Sequence, residues 1–249
     1  MSFDGDVYEA LESFFEQGLV SSVVFEIKSG KEATVYCCQA PGELLAAKVY
    51  RPLESRRFRN DAVYQTGRMH LARVSRVQRA VTGKSAFGRE VQYSTWLNHE
   101  WETLRALHAA GVDVPRPIAQ GERAILMPYF GDGNGPAPNL NEAQLTPQQA
   151  AVVTDQLMHN IAVMLDAHCV HGDLSPYNVL FWKGRAVIID LPQAVDPRLN
   201  PAARELLARR SAVLTKSVIV GGSALALLFV AFALLAIRRD FAGRARAEA

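Results

Sequence analysis

Val170-His171-Gly172-Asp173-Leu174-Ser175-Pro176-Tyr177-Asn178-Val179-Leu180, followed by Val187-Ile188-Ile189-Asp190, is the stretch that decides how this 249-residue chain is read. Asp173 is followed by Asn178 five residues on and by Asp190 twelve further. Between the last two, Val179 to Trp182 and Ala186 to Ile189 alternate as an apolar hairpin turned at Lys183-Gly184. Carboxylate and amide oxygens are hard donors of the kind magnesium prefers. A free acid beside two such donors can orient a hydroxyl nucleophile. Magnesium-assisted phosphoryl transfer uses that set of groups. A single acid–amide pair at this spacing is weak evidence; a second acid behind Val-Ile-Ile at hairpin distance makes coincidence a poor explanation.

Such chemistry also needs a phosphate cradle and a fixed cation. Ser29-Gly30-Lys31-Glu32-Ala33 lies between two β-branched runs, Val23 to Ile27 and Ala33 to Cys38, and reads as a turn offering backbone N–H groups, with Gly30 allowing close approach. It is no Walker loop, since strands flank it on both sides. Lys48, in the apolar third strand Leu44 to Tyr50, needs an acid partner. Residues 94–110 read as a helix, with Trp101, Leu104, Leu107 and His108 on one side, and supply Glu100 or Glu102. Glu100 shares the side of Leu104 and Leu107 and is preferred.

Elsewhere, residues 5–17 carry Val7, Leu11, Phe14 and Phe15 at helical spacing and stop at Gly18. Ala124 to Met127 is a short strand running into Pro128-Tyr129-Phe130. There Met127, the Pro128 carbonyl and the Phe130 N–H are candidates to hold an adenine ring. Gly131 to Gln144 is a Gly/Pro/Asn-rich connection. Thr146-Pro147 opens a helix to about His168, and Asn200-Pro201 opens another. Strands first and helices later predict an α+β, two-lobed fold, with a β-rich lobe over about 1–126 and a helical lobe over about 132–210.

At these residues the chain resembles the RIO family of atypical protein kinases, the RIO-one type most closely. Lys28-Ser29-Gly30-Lys31-Glu32-Ala33-Thr34-Val35-Tyr36 is similar to its phosphate loop, Lys48-Val49-Tyr50-Arg51 to its third-strand lysine, and Phe58-Arg59-Asn60-Asp61 with Tyr64 and Gly67-Arg68 to its insertion. His171-Gly172-Asp173-Leu174-Ser175 with Asn178, and Ile189-Asp190-Leu191-Pro192-Gln193, are similar to its catalytic and metal loops. The resemblance implies a protein-kinase-like fold, ATP and Mg2+ as cofactors, and a serine/threonine-protein kinase over residues 1–210. It implies Asp173 as the catalytic acid, Asn178 and Asp190 as metal ligands, and ATP held by Ser29, Gly30, Lys31, Glu32, Val35, Lys48, Met127, Pro128 and Phe130. It also implies ATP hydrolysis through an aspartyl-phosphate, which by position falls on Asp190. Conventional kinases carry an arginine before the catalytic acid, a D-F-G glycine and an A-P-E sequence. This chain has Gly172, Asp190-Leu191-Pro192 and no A-P-E.

Two features fall outside the domain pattern. Residues 51–89 hold ten Arg/Lys against Glu54 and Asp61, a net +8 in a chain of net +2, and predict an anionic partner such as RNA or an acidic surface. Residues 217–237 carry no charge over 21 positions, bracketed by Lys216 and Arg238-Arg239. As a helix they would span about 32 Å, the thickness of a bilayer's hydrocarbon core. The reading is a juxtamembrane stretch 211–216, a single-pass transmembrane helix 217–237 that truncates the helical lobe, and a basic tail 238–249. With five cations before the span and four after it, charge does not fix orientation. An ATP-using domain places residues 1–210 on the cytoplasmic side of the cell membrane. Cys37, Cys38 and Cys169 lack metal-ligand spacing and fit a reducing compartment.

Two other functions fit parts of the pattern. A small-molecule phosphotransferase of the aminoglycoside/choline kinase kind shares H-G-D-x-x-x-x-N and a later acid, but needs a large helical substrate lobe after it. A non-catalytic module binding RNA or another anion through residues 51–89 has no need of Lys48, Asp173, Asn178 and Asp190 together.

Overall fold

The computed structural model describes residues 5–51 and 86–200, with Ala202, Ala203 and 205–207; within 86–96 it describes the backbone alone. The basic segment between Pro52 and Ser85, the final cations beyond Leu207, the juxtamembrane stretch, the apolar segment 217–237 and the tail all lie outside the described residues. Among the described residues, no helix is long and apolar enough to cross a membrane.

The chain forms two compact units, which are taken separately. The described part of the first comprises 5–51, 86–105 and 115–136. It opens with α1 (Gly5–Glu16) and the strands β1 (Ser22–Ser29), β2 (Ala33–Ala40) and β3 (Glu43–Tyr50). The long helix α2 (Ala86–Ala109) follows and crosses into the second unit at its last turn. Strands β4 (Ala119–Gln120) and β5 (Ala124–Pro128) complete an antiparallel sheet of order β1-β2-β3-β5-β4. Lys48 therefore lies on the central strand, opposite Val35 of β2 and Ile125 of β5. β1 is an edge with two register shifts, between Val23 and Phe25 and between Glu26 and Lys28. Such bulges bend an edge strand, yet burial still alternates along β1, with Val23, Phe25 and Ile27 turned inward and Val24, Glu26 and Lys28 exposed.

One face of the sheet is closed by α1. Val7, Ala10, Leu11 and Phe14 pack into a cluster with Tyr36, Cys38, Leu45, Ala47, Val49 and Leu126. Phe15, expected on the buried stripe, is only partly buried and stacks on Tyr8 at 5.9 Å. Along the described part of α2, the buried stripe is Leu97, Glu100, Leu104 and Leu107. Leu104, Leu107 and Glu100 thus lie on the predicted side, while Trp101 at its margin is half-buried and His108 is exposed. The connection after β5 contains a small hairpin, β6 (Gly131–Asp132) with β7 (Gly135–Pro136), which is too short to leave a sequence signal.

The described part of the second unit comprises 106–114, 137–200 and the few described residues after it. Its main helix is α3 (Pro147–Asp166). The Thr146 hydroxyl accepts the Gln149 N–H at 3.2 Å, and Gln149 Oε1 accepts the Thr146 N–H at 2.9 Å. With Pro147 in the first turn, this is a complete capping box. The helix ends two residues before the expected His168, which adopts φ 54° and turns the chain out. A 3-10 turn, Pro176–Asn178, leads into the hairpin of β8 (Val179–Trp182) and β9 (Arg185–Ile188). Its two-residue turn has positive φ at both Lys183 (49°) and Gly184 (80°), the geometry that matches strand twist in tight hairpins. Asn200 Oδ1 accepts the Ala202 N–H at 2.9 Å, an N-cap bond, and Ala203 and 205–207 are helical.

Candidate active site

The first unit holds the cation. Lys48 Nζ donates to Glu100 Oε1 at 2.7 Å and Oε2 at 3.0 Å. Both side chains are largely buried, at 11% and 5% exposure, so the charges compensate where water does not. The Tyr50 hydroxyl donates to Glu100 Oε2 as well, and the Lys48 ammonium lies 5.4 Å from the Tyr50 ring centre. Tyr50 is two positions along β3 from Lys48 and so shares its face. Sequence reasoning missed this third member, although the i, i+2 spacing could have signalled it. Glu102, the other candidate acid, is exposed and pairs with Arg105 three residues on.

The phosphate-loop candidate is tighter than expected. The Gly30 N–H donates to the Ala33 carbonyl at 2.9 Å and so is used inside the turn. A side chain at Gly30 would come within 3.1 Å of that same carbonyl. The turn's own closure therefore leaves little room for a side chain at Gly30, whether or not a ligand approaches. Lys31 is exposed, while Glu32 and Val35 are partly buried. Met127, Pro128 and Phe130 are partly buried at the end of β5, where the Tyr129 N–H donates to the Leu44 carbonyl at 3.3 Å.

The second unit holds the acids. Buried His171 links their two loops. The Asp173 N–H can only donate, so His171 Nδ1, 3.3 Å away, accepts. The Ile189 carbonyl can only accept, so Nε2, 3.0 Å away, carries the proton. The ring is therefore the neutral Nε2–H tautomer. Burial lowers its pKa, while the Ile189 carbonyl and the carboxylates of Asp190 and Asp173 pull it back upward. The preceding Gly172 has φ 78°, a turn that favours glycine.

Asn178 is buried, and its Nδ2 donates to the Asp173 carbonyl at 2.9 Å and approaches Asp173 Oδ2 at 3.4 Å. The amide oxygen is then the atom left to meet a cation. The Ile189 N–H donates to the Asn178 carbonyl at 2.9 Å, extending the β8–β9 ladder and bringing Asp190 to the end of the hairpin where Asn178 lies. Asp190 itself is exposed, with φ 68°, a left-handed conformation that aspartate tolerates better than most residues. Among the described residues, no three His, Cys, Asp or Glu side chains gather as a metal-holding group. Two hard oxygen donors, one amide and one carboxylate, suit magnesium, which fills its octahedron with phosphates and water.

A brace unnoticed in the sequence supports the hairpin. Asn160 of α3, fully buried, accepts the Asp113 N–H at 2.9 Å and donates to Asp113 Oδ2 at 3.1 Å. The Asp113 carbonyl accepts the Ile188 N–H at 2.8 Å, and Gln156 Oε1 accepts the Ala186 N–H at 2.9 Å. Strand β9 thus receives bonds from outside its own hairpin.

Comparison with known proteins places this geometry. Residues 34–216 match the RIO domain of the RIO1 type. The chain is 30% identical over 209 residues to the RIO-type serine/threonine-protein kinase Rio1 of Haloferax volcanii, covering 83% of this chain and 67% of that protein. It is 29% identical over 189 residues to the serine/threonine-protein kinase rio1 of Schizosaccharomyces pombe, covering 75% of this chain and 36% of that one. The human serine/threonine-protein kinase RIO1 is 30% identical over 193 residues, 77% of this chain and 32% of its own. The aligned region thus spans about a third of the length of the fission-yeast and human relatives. Among solved structures, the Rio2 kinase from Chaetomium thermophilum resembles the chain with a TM-score of 0.62 at 22% identity, over 88% of this chain and 63% of that one. That likeness concerns the fold, which is kinase-like, with a β-sheet N-lobe and a helical remainder.

Proposed function

We propose, from the premise that this chain belongs to the RIO domain family, that it is a serine/threonine-protein kinase transferring the terminal phosphoryl group of ATP. The observation that carries this reading is the His171 link, which ties the Asp173 loop to the Asp190 loop through one neutral ring. Asp173 orients the attacking hydroxyl and accepts its proton. Asn178 Oδ1 and the Asp190 carboxylate would hold magnesium, which when bound offsets phosphate charge. Lys48, held by Glu100 and Tyr50, is the cation that would offset phosphate charge. Ser29, Gly30, Lys31, Glu32 and Val35 line the loop side of the nucleotide, and Met127, Pro128 and Phe130 the adenine side. Transfer to the Asp190 carboxylate followed by hydrolysis would make the same site an ATPase; the exposure of Asp190 supports this branch.

The test is labelled ATP with magnesium, given to the wild-type chain and to Asp173→Ala and Asp190→Ala. Label on a serine or threonine, lost in Asp173→Ala, supports the kinase. An acid-stable, base-labile adduct lost in Asp190→Ala supports the ATPase branch. Label on a sugar or amino alcohol would point to a small-molecule phosphotransferase. No turnover at all would leave a binding module.

For the chain's location, the proposal stands on sequence alone: residues 217–237 anchor it in the cell membrane with residues 1–210 cytoplasmic. Protease added to the cytoplasmic face of sealed vesicles should digest residues 1–210; their survival would reverse the orientation. Soluble, monodisperse full chain without detergent would remove the anchor.

A further inference from the structure

Arg51 belongs by sequence to the basic segment, but among the described residues its hydrogen bonds are with the phosphate loop. Its backbone N–H donates to the Glu32 carbonyl at 3.0 Å. Its Nη2 donates to Ser29 Oγ at 2.7 Å and approaches Thr34 Oγ1 at 3.5 Å. Ser29 and Thr34 are the last register pair of β1 and β2, and their hydroxyl oxygens lie 3.3 Å apart. One residue thus holds the loop where it leaves β1, beside its tip and where it enters β2.

Two consequences follow for the Ser29 hydroxyl. It accepts a charge-assisted bond, which fixes its oxygen and polarises its O–H. Its own proton is directed away from the guanidinium, toward Thr34 or toward an acceptor outside the loop. Arg51 Nε is buried and makes no hydrogen bond, so the guanidinium acts on the loop through Nη2. Exposed Lys28 and Lys31 flank the same turn.

We infer that Arg51 is a positioning residue that acts through Ser29 to set the affinity of the loop for the phosphates of a nucleotide. This rests on the ATP reading above. A hairpin brace with no part in binding would affect stability alone, so the two roles separate by measurement.

The experiment measures ATP and adenosine binding by titration calorimetry, with a urea midpoint for each protein. It uses full-length wild type, Arg51→Met, Arg51→Lys, Ser29→Ala and the Arg51→Met/Ser29→Ala double variant. We expect Arg51→Met to weaken ATP about tenfold and leave adenosine unchanged. Arg51→Lys should recover part of the loss, and the double variant should bind no worse than the weaker single. ATP affinity unchanged in Arg51→Met, or losses that multiply in the double variant, would overturn the inference. If Arg51→Met does not fold, Arg51→Lys with and without Ser29→Ala tests the same non-additivity. Wild type binding adenosine and ATP equally would overturn the inference while sparing a nucleotide site. Wild type binding neither would overturn the ATP reading and the inference together.

Discussion

His171 Nε2 and the Ile189 carbonyl oxygen lie 3.0 Å apart, which puts the ring's proton on Nε2, and the Asp173 N–H donating to Nδ1 at 3.3 Å leaves the imidazole uncharged. Burial depresses the ring's pKa from its ordinary value near 6.5. The unfolded chain therefore binds a proton that the folded chain refuses. Stability from this group is complete above pH 6.5 and is lost as pH falls toward the folded value. The slope should reach at most about 1.4 kcal/mol per pH unit. Urea midpoints between pH 5 and 8 check this; His171→Asn should flatten the part of the profile just below pH 6.5.

Asp190 combines a left-handed backbone with a proposed chemical role, and the two separate by substitution. Asparagine tolerates the same conformation, so Asp190→Asn should keep the wild-type urea midpoint while phosphoryl transfer falls at least about a hundredfold. Asp190→Ala should lose transfer equally and also cost about 1 kcal/mol of stability. Equal stability of the two variants would mean that the backbone there carries no strain.

Removing the carboxylate of Glu100 exposes the cost of a buried charge pair. Glu100→Ala should destabilise the chain by about 3 kcal/mol, because Lys48 loses both of its 2.7 and 3.0 Å bonds in a largely buried place. Tyr50→Phe should cost about 1 kcal/mol in the wild-type background. In the Glu100→Ala background, Tyr50→Phe should cost less than in the wild-type background, since the carboxylate that accepts from its hydroxyl has gone. Chemical denaturation of the four proteins completes the cycle.

The brace behind the hairpin makes a contrast within one cluster. Asn160→Ala should cost about 2 kcal/mol, because it leaves the part-buried N–H and carboxylate of Asp113 without these bonds. Arg185 also pairs with Asp113 but is 66% exposed. Arg185→Ala should change stability by no more than about 0.5 kcal/mol. Comparable losses from both would show that the surface ion pair matters as much as the buried amide.

What could be read from sequence was whatever has a period or a fixed local spacing. The strands around Lys48, the Thr146 cap with Pro147 and the Lys183-Gly184 hairpin are local, and each stands within a residue or two of its expected bounds. The two-lobed α+β arrangement followed from their order, and the kinase-like fold from the family resemblance. Glu100 was legible because it shares a helix face with Leu104. The contacts that were not legible join polar residues far apart in the chain. Tyr50 reaches across to Glu100, Asn160 to Asp113 and His171 to Ile189, and no periodicity announces such pairs. β1 stands where Val23 to Ile27 predict a strand, but its two register shifts leave no mark in the sequence. Local spacing also cannot show that the Gly30 N–H is used inside its own turn.

Strand β2 carries Cys37 and Cys38 on opposite faces, and both are fully buried. Desolvation raises the Cys37 pKa and pushes that of Cys38 up to about 12, so neither thiol is ionised or reachable in the native state. The centre of the nucleotide-side lobe therefore contains a two-sided tamper seal. Alkylation of either cysteine registers only molecules whose sheet has come apart, and the ratio of the two adducts tells which side opened first.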